Sequence, residues 1–527
     1  MARVDNLIGY DAVNIGNHEF NYGLDTLRRF AADLDSPLLG ANVIDRATGK
    51  PLTEATTLLD RTVGGHHVKV GVVGVTTPGS LVWDKANIAG KVDITDPVEA
   101  TSEQASRLRA QGADVVVVLA HTGLDQDGVE PIVNGLPENS ATSIARKATG
   151  IDLVIDGHTH QDIPSTVVDG ASGNKVLISQ PNFWARSVSD VRIPLRFDGD
   201  AVSVDRSSID SWATARPTKD VAEDPTVAGD PQLRRAHDAT VDYVNTVVAT
   251  SKEAMSSSEA MVKDSAILDF IGEGQVKAVR KALKGTRYES LPVIAQTSPF
   301  SRSAAFPAGD VRIKDLAGLY PFENTLKAVT LNGDQVRDYL EYSARYFTQA
   351  EPGATINPAP ASEGGNTQNT IDGKTIWDYN YDALTGVRYS LDLSRPVGSR
   401  VLGLTWQGHP VTKDMTFVLA VNNYRQSGGG GYPHVAEAPV VADIPQEIRQ
   451  ILIDQATADT VIDPATFHEV NWFLTTTGQT WPAGDATTPT PSTPSTPKAP
   501  DTSAPPATSG APTGPAPTHP GLPATGV

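Results

Sequence analysis

Runs of apolar, largely β-branched residues recur along the first part of the chain. They occupy residues 66–75 (HHVKVGVVGV), 113–119 (ADVVVVL) and 151–155 (IDLVI). Continuous apolar runs of this kind are typical of strands that are buried on both faces of a parallel sheet. The helix-like segment 97–111 crosses between two of them, and residues 175–196 supply further strands. The pattern therefore predicts an open α/β sheet.

A second α/β pattern follows a polar interruption. The alternation of strands and helices ends near Ser211, and residues 212–232 are polar with scattered prolines, which predicts a connection. Residues 233–250 have helical apolar spacing. Beyond them we predict strands at 292–295, 326–331 and 416–422 and helices at 267–283 and 333–347. The predicted organisation is a first domain (1–212), a linker and helix (213–250), a second domain (251–481) and a tail (482–527).

Composition limits the classes of partner. The net charge of −19 argues against nucleic-acid polymers, because no basic stripe could offset phosphate repulsion. The chain has no cysteine, so neither disulfides nor thiolate metal ligands are available. It also has no apolar run of about 20 residues, the length that spans a membrane. The tail is rich in Pro, Thr, Ser, Ala and Gly, cannot bury a core, and is expected to be extended and disordered.

Polar residues follow three of the predicted strands. Gly16-Asn17-His18-Glu19 follows the strand-like run 10–15, His121 follows 113–119, and Gly157-His158-Thr159-His160 follows 151–155. The carboxyl ends of parallel strands form the ligand-binding edge of such a sheet. A single histidine after a strand is usually a satisfied polar residue, but His158 and His160 can address two neighbouring ions. Imidazole nitrogens and an Asn oxygen suit zinc, manganese, iron or nickel, so the three segments together predict half of a two-metal site.

These motifs resemble the calcineurin-like metallophosphoesterases, and within them the secreted 5′-nucleotidase family. The resemblance implies a four-layer metallophosphoesterase sandwich, a bridging helix and a C-terminal substrate-binding domain. It implies two divalent cations, zinc, manganese or similar. Asn17, His121 and His158 would hold one cation and His160 would belong to the other. His18 would not be a ligand but would stabilise the phosphoryl transition state or the leaving oxygen, and Glu19 would orient the Asn-His pair.

Two of the family's motifs, Asp-x-His and a Gly-Asp whose carboxylate bridges the metals, normally precede Gly-Asn-His-Glu. Only 15 residues precede Gly16 here. Without the bridging carboxylate, two cations about 3.5 to 4 Å apart would repel each other. We therefore expect this chain to bind the second metal weakly and the first hardly at all. We interpret the sandwich as incomplete and the chain as N-terminally truncated, with no secretory signal at Met1.

The second domain carries candidates for substrate binding. Phe322 lies in a predicted loop, Tyr424 precedes four glycines (428–431), and Arg302 follows Phe300-Ser301. From the residues alone, each aromatic is more often part of a core than a clamp. The resemblance implies instead that Phe322 and Tyr424 stack on a nucleobase, an interaction worth about 1 to 3 kcal/mol per base. It also implies that Arg302 meets the phosphate or the ribose of a nucleotide substrate.

Segments 17–24, 82–87 and 422–425 resemble the bifunctional 2′,3′-cyclic-nucleotide 2′-phosphodiesterase/3′-nucleotidases over nearly all of residues 5–475. That resemblance implies hydrolysis of cyclic nucleotides to 3′-nucleotides and then to nucleoside and phosphate. Phe322 and the glycine-rich 428–433 resemble the 5′-nucleotidases, so a 5′-nucleotidase or UDP-sugar hydrolase stays an alternative. Because the upstream metal ligands are missing, a nucleotide-binding pseudoenzyme on the cell wall is a further alternative.

The tail ends in Leu522-Pro523-Ala524-Thr525-Gly526, which matches the Leu-Pro-x-Thr-Gly sorting signal of Gram-positive bacteria. Sortase would cleave after Thr525 and join it to peptidoglycan. We therefore expect a secreted protein anchored to the cell wall. The apolar segment that normally follows this signal is not in this chain, since only Val527 comes after Gly526. The sequence does not predict an oligomeric state.

Overall fold

A computed structural model of the protein describes residues 1–125, 132–171, 173–356, 370–371, 374–376 and 378–481. The chain divides into two compact units. The first contains Met1–Asp238 and Asn422–Glu437, and the second contains Ala239–Val421 and, within the described ranges, residues 438–481. The predicted tail, with Thr525 and the sorting motif, lies outside the described residues. None of the helices in the described ranges is long and apolar enough to cross a membrane.

A six-stranded mixed sheet forms the centre of the first unit. In spatial order its strands are Asp162–Asp169, Lys175–Pro181, Leu153–Asp156, Val115–His121, His66–Thr76 and Thr56–Val63. The four inner strands are parallel, and both edge strands are antiparallel to their neighbours. The inner strands carry the predicted apolar runs, because both of their faces are covered.

Smaller sheets complete the first unit. They pair Val13–Asn14 with Leu38–Leu39, Val43–Asp45 with Lys50–Pro51 and Val92–Ile94, Ile132–Val133 with Leu136–Pro137, Ser187–Val191 with Ala213–Pro217, and Leu195–Asp198 with Ala201–Val204. The α-helices are Ala2–Ile8, Gly23–Asp33, Ser80–Trp83, Lys85–Ile88, Pro97–Ala110, Ala141–Lys147, Pro225–Gly229 and Asn423–Gln426, and Pro231–Val244 contains the division between the units. The 3₁₀ turns are His18–Phe20, Arg206–Ser211 and Gly429–Gly431.

The helix Pro97–Ala110 shows how local sequence sets an element. Asp96 caps it by accepting hydrogen bonds from the backbone N–H groups of Val98 and Glu99, and Pro97 occupies the first turn. Its buried face packs on the sheet so closely that a Cβ on Gly71 would lie 2.8 Å from Leu108 Cδ1. The glycine therefore permits the contact between helix and strand.

The second unit is also α/β. Its largest sheet has the order Ala383–Thr385, Val293–Thr297, Thr416–Asn422, Thr325–Asn332 and Val440–Glu447. The other sheets contain His409–Pro410, Val401–Trp406, Arg388–Asp392 and Trp472–Thr475; Gly309–Arg312, Val247–Ser251 and Val461–Ile462; Met255–Ser256 and Ala305–Phe306; and Thr370–Ile371 and Lys374–Thr375. Its helices are Ala266–Leu283, Ile313–Leu319, Gly333–Ala344 and Ile448–Asp459, with 3₁₀ turns at Asp378–Asn380 and Pro464–Thr466.

Three predicted elements were wrong in extent or type. The helix predicted at 233–250 ends at Val244, and Val247–Ser251 is a strand, because its β-branched residues pair with Gly309–Arg312. Residues 212–232 are more than a connection, since Ala213–Pro217 pairs with Ser187–Val191. The strand predicted at 10–15 is only Val13–Asn14 and pairs outside the main sheet.

Candidate functional site

Two parallel strands bring His121 and His158 to one edge of the main sheet. His121 is the last residue of Val115–His121. The neighbouring strand ends at Asp156, which lies beside Ala120 in the register. The turn that contains His158 therefore begins beside His121. Both lie at the carboxyl edge of the sheet, as the sequence predicted.

Asn17 reaches the same place from the other side. Its Oδ1 lies 2.8 Å from His121 Nε2, and the ring centroids of His121 and His158 are 5.5 Å apart. His158 Nε2 lies 3.2 Å from Glu138 Oε1. Three of the predicted metal ligands, from three separate segments, thus lie close together.

The electrostatics of His121 agree with this clustering. Its pKa lies well below that of a free imidazole, first because the ring is buried and then because other imidazoles are near. Those neighbours are His158, His18 and His160. Burial and the same kind of repulsion also lower the pKa of His160. Neutral imidazoles keep a lone pair, the form that a metal or a hydrogen-bond donor requires.

His158 and His160 both have a left-handed backbone, with φ of 71° and 55°. Such a conformation in a non-glycine residue costs on the order of 1 kcal/mol or more, and it tends to occur at functional sites. Gly157 precedes them, and a Cβ there would lie 3.2 Å from His121 Nδ1. The turn is therefore tightly packed against His121.

Glu19 holds the turn before Asn17. Its Oε2 accepts a 2.6 Å hydrogen bond from the backbone N–H of Gly16. Burial raises the pKa of the Glu19 carboxyl, and this hydrogen bond opposes the rise. A Cβ on Gly16 would approach Glu19 Oε2 at 2.9 Å and the His121 ring at 3.0 Å. Glu19, Gly16 and His121 are thus fitted together around Asn17.

His18 is exposed, and its Nδ1 lies 2.7 Å from Asn21 Oδ1. Asn21 Nδ2 donates to Asp84 Oδ1 at 3.1 Å, which fixes Asn21 Oδ1 as the acceptor. His18 Nδ1 must then carry a proton. In the neutral ring Nε2 is an acceptor, so His18 can donate from Nε2 only as an imidazolium.

Sequence reasoning missed several neighbours of these histidines. The Trp83 ring lies 5.3 Å from that of His158, and Phe183 stacks on His160 at 4.9 Å. Asp156 is buried, which raises its pKa to about 7, and its Oδ1 accepts from the backbone N–H of Gly123. Asp156 could have been found from the sequence, because it directly precedes Gly157-His158. No comparable sequence pattern marks Glu138 or Phe183.

The described residues do not form a complete two-metal centre. No group of three or more His, Cys, Asp or Glu side chains among them is arranged to hold an ion. Asn17, His121 and His158 supply neutral oxygen and nitrogen donors of the right chemistry for part of one ligand set. No carboxylate in the described chain bridges two such sets.

In the second unit, Arg302 is occupied by an ion pair. Its Nε and Nη2 donate to the two carboxylate oxygens of Asp378 at 2.6 and 2.8 Å, and its side chain is 9% exposed. This contact strengthens the charged state and raises the pKa of Arg302. Phe322 packs edge-on against both Phe300 and Tyr379, with ring centroids 5.1 and 6.4 Å apart.

Tyr424 lies in the segment Asn422–Glu437 of the first unit. Its ring covers Gly429, where a Cβ would come within 2.5 Å of Tyr424 Cε2. Arg425 is stacked near it, with Cζ 5.2 Å from the ring centroid. The role of Tyr424 with Phe322 as a base clamp stays a prediction.

Comparison with known proteins bears on this site. Residues 247–437 match the profile described as "5′-nucleotidase, C-terminal domain". The chain is 30% identical over 487 residues to the 2′,3′-cyclic-nucleotide 2′-phosphodiesterase/3′-nucleotidase of Salmonella typhimurium, with 85% of this chain and 72% of the relative covered. The chain belongs to the 5′-nucleotidase family. This family consists of calcineurin-like metallophosphoesterases, which are phosphoric ester hydrolases that use divalent metals.

The chain is also 31% identical over 506 residues to the trifunctional nucleotide phosphoesterase protein YfkN of Bacillus subtilis. The match covers 89% of this chain but only 33% of that relative. Among solved structures, a Staphylococcus aureus protein assigned as a 5′-nucleotidase aligns with a TM-score of 0.70 and 25% identity, over 90% of this chain and 85% of that one. The predicted α/β class and two-domain 5′-nucleotidase architecture are confirmed.

Proposed function

We propose that the protein hydrolyses nucleotide phosphoesters outside the cell, converting 2′,3′-cyclic nucleotides to 3′-nucleotides and these to nucleoside and phosphate. The convergence of Asn17, His121 and His158 on one sheet edge is the observation that carries the proposal. The name of the Salmonella relative supports the choice of substrate.

Divalent metals, when bound, would activate water and neutralise the phosphoryl oxygens. The chain's own residues have separate tasks. Glu19 and Gly16 hold Asn17 against His121, and Asn21 orients His18 with Nδ1 as the donor. His18 Nε2 would give a proton to the leaving ribose oxygen where the ring is an imidazolium and lies within reach of that oxygen. Phe322 and Tyr424 would stack on the base.

Chromatography of the nucleotides, nucleosides and phosphate produced by the protein, as its host makes it, tests this proposal, because opening of a cyclic phosphodiester releases no phosphate. The panel is 2′,3′-cyclic AMP, 3′-AMP, 5′-AMP and UDP-glucose, with added zinc or manganese. We expect kcat/KM to be highest for the first two substrates, and His121→Ala to lower it by at least about tenfold. Faster turnover of 5′-AMP or UDP-glucose would instead indicate a 5′-nucleotidase or a UDP-sugar hydrolase. The 5′-nucleotidase alternative has support in Phe322 and in the glycine-rich segment 428–433, which resemble that family.

A nucleotide-binding protein without turnover is the second candidate, and the incomplete ligand set in the described residues favours it. The same assay separates the two. Absence of any hydrolysis product with every substrate and metal, together with measurable adenosine binding, would support the binding protein and exclude the hydrolase.

The proposed location is the cell wall, through the Leu522–Gly526 motif. Sortase and peptidoglycan would be the partners. Thr525→Ala should move the protein from the wall fraction to the culture medium, as measured by immunoblotting of both fractions. Retention of the variant in the wall would contradict sortase anchoring.

A further inference from the structure

The loop 182–186 (NFWAR) follows the strand Lys175–Pro181 in the first unit and has an unusual backbone. Asn182, Trp184 and Ala185 have φ of 67°, 52° and 52°. Nine non-glycine residues in the described ranges have a positive φ, and five of them lie in this loop or in the His158–His160 turn. Asparagine tolerates this region, but tryptophan and alanine do not do so readily. Strain of this kind points to a functional role for the loop.

The loop packs directly on the candidate site. The Phe183 ring stacks on His160 with centroids 4.9 Å apart and planes inclined by 18°. Trp184 meets Phe183 edge-on at 4.7 Å. The guanidinium carbon of Arg186 lies 4.2 Å from the Phe183 centroid and 5.0 Å from the Trp184 centroid. The imidazole, the two aromatic rings and the guanidinium therefore form one continuous cluster of contacts.

Hydrogen bonds fix this conformation. The backbone N–H of Thr218 donates to Arg186 O at 3.0 Å, and the Thr218 hydroxyl donates to Ala185 O. At the start of the loop, Asn182 N donates to Gln161 O at 3.1 Å. The rings are thus held in place by backbone contacts from two neighbouring segments, so little ordering is left for a ligand to impose.

Trp184 and Arg186, the outer part of this cluster, are exposed to solvent. Trp184 is 54% exposed. Arg186 is exposed, and no carboxylate in the described part of the chain lies within ion-pair distance of its guanidinium. An exposed indole beside an unpaired guanidinium can stack on a planar ring and attract an anion at the same time.

We propose that the loop 182–186 is a binding subsite for a phosphate ester that carries a planar aromatic ring. Trp184 stacks on the ring, and Arg186 pairs with the phosphate. The class of ligand rests on the proposed function, because a phosphoester is what the His158–His160 edge would handle. Its residues are different from Phe322 and Tyr424, the predicted base clamp.

Fluorine NMR of the chain labelled with 5-fluorotryptophan tests the subsite without requiring activity. The chain has seven tryptophans, so the resonances of Trp184 and Trp83 are assigned by Trp184→Phe and Trp83→Phe. Phenyl phosphate is the probe, with inorganic phosphate and phenol as matched controls that lack the ring or the charge. We expect phenyl phosphate to shift the Trp184 resonance in a saturable way, with an apparent affinity at least about fivefold higher than that of either control.

Arg186→Gln should weaken phenyl phosphate binding by about five- to tenfold. Arg196→Gln is the matched control, because Arg196 is an exposed arginine of the same unit that pairs with Asp205. Trp212 is buried in this unit, and its resonance is assigned by Trp212→Phe, so an unchanged Trp212 resonance shows that each variant is folded. No saturable shift of Trp184, or equal binding by Arg186→Gln, would overturn the subsite.

Trp83 reports on the histidine edge independently, because its ring lies 5.3 Å from His158. A shift of Trp83 without a shift of Trp184 would leave phosphate binding at the histidines intact and reject only the loop. A shift of Trp184 in a protein that forms no hydrolysis product from any nucleotide would retain the subsite and reject the proposed hydrolase.

Discussion

His121 Nε2 lies 2.8 Å from Asn17 Oδ1, although 104 positions separate the two residues in the chain. The contact depends on the turn at Gly16, whose backbone N–H is held by Glu19. There is no room for a side chain at Gly16, since a Cβ would lie 3.0 Å from His121 Cε1. The alignment of two predicted ligands therefore depends on a residue that carries no functional group.

Gly16→Ala should reduce activity more than stability. The added methyl group would displace Glu19 or His121 by a few tenths of an ångström, and small misplacements of reacting groups are costly in rate. We expect kcat on the preferred nucleotide to fall on the order of 10- to 100-fold. Kinetics of product formation and a thermal melt of the same preparation measure the two effects.

Gly229→Ala is the matched control, because a Cβ at Gly229 meets nothing within 4 Å. It should leave kcat unchanged. If Gly16→Ala retained full activity with an unchanged melt, the close fit around Asn17 would have no functional importance.

Much of the site could be predicted because strand ends are easy to recognise. The apolar runs before His121 and His158 define where each strand stops, and parallel strands share an edge. Contacts that depend on tertiary packing carry no such signal. Phe183 stacks on His160 because Lys175–Pro181 pairs with Leu153–Asp156, a pairing that no local pattern reveals.

The errors in the fold have the same origin. Residues 247–250 continue the helical spacing of the preceding helix, yet they form a strand. The β-branched residues of this segment tolerate both patterns, and the pairing with Gly309–Arg312 decides between them. Ala213–Pro217 was predicted as a connection because it is short and polar, but Ser187–Val191 supplies its hydrogen-bonding partner.

Arg302→Gln should destabilise the second unit. It would leave the nearly buried Asp378 carboxylate without its bidentate partner, although the hydroxyl of Tyr346 still donates to it at 2.7 Å. Breaking a buried pair from one side costs about 3 to 5 kcal/mol, and the remaining hydroxyl should keep the loss near the lower end. Urea unfolding of the variant measures the free energy.

Arg312→Gln is the control, since Arg312 is more exposed and its ion pair with Asp310 is long, at 3.4 Å. An Arg302→Gln protein as stable as the parent, but weaker in nucleotide binding, would mean that Arg302 serves the substrate rather than the fold.

The stability of the second unit should fall as pH rises from about 5 to 8. Burial raises the pKa of Asp264 to about 7, so the folded state holds a proton that the unfolded chain has already lost. His468 acts in the same direction, because its hydrogen bond to Asp269 raises its pKa. Its contribution is present below the unfolded pKa of about 6.5 and disappears as pH rises through the folded value. One extra bound proton corresponds to about 1.4 kcal/mol per pH unit.

Asp264→Asn should flatten this dependence, because an amide does not titrate. Asp310→Asn is the control, since Asp310 is an exposed carboxylate of the same unit. Urea titrations at pH 5, 6, 7 and 8 give the slopes. A parent stability that rises over this range would contradict the assigned direction.

The base clamp can be tested by binding alone, whether or not the protein turns over. Adenosine carries a ring but no phosphate, so its affinity should depend on Phe322 and Tyr424 and not on metals. Replacing either ring with alanine should cost about 1 to 3 kcal/mol of binding free energy in isothermal titration, the usual value of one stacked base.

Val397→Ala is the control, because Val397 is 50% exposed in the second unit. Phe322 has packing partners in Phe300 and Tyr379, so a thermal melt must accompany each titration. If both variants bound adenosine as tightly as the parent, the two rings would belong to the packing of their own units, as the residues alone suggest, and the base would have to bind elsewhere.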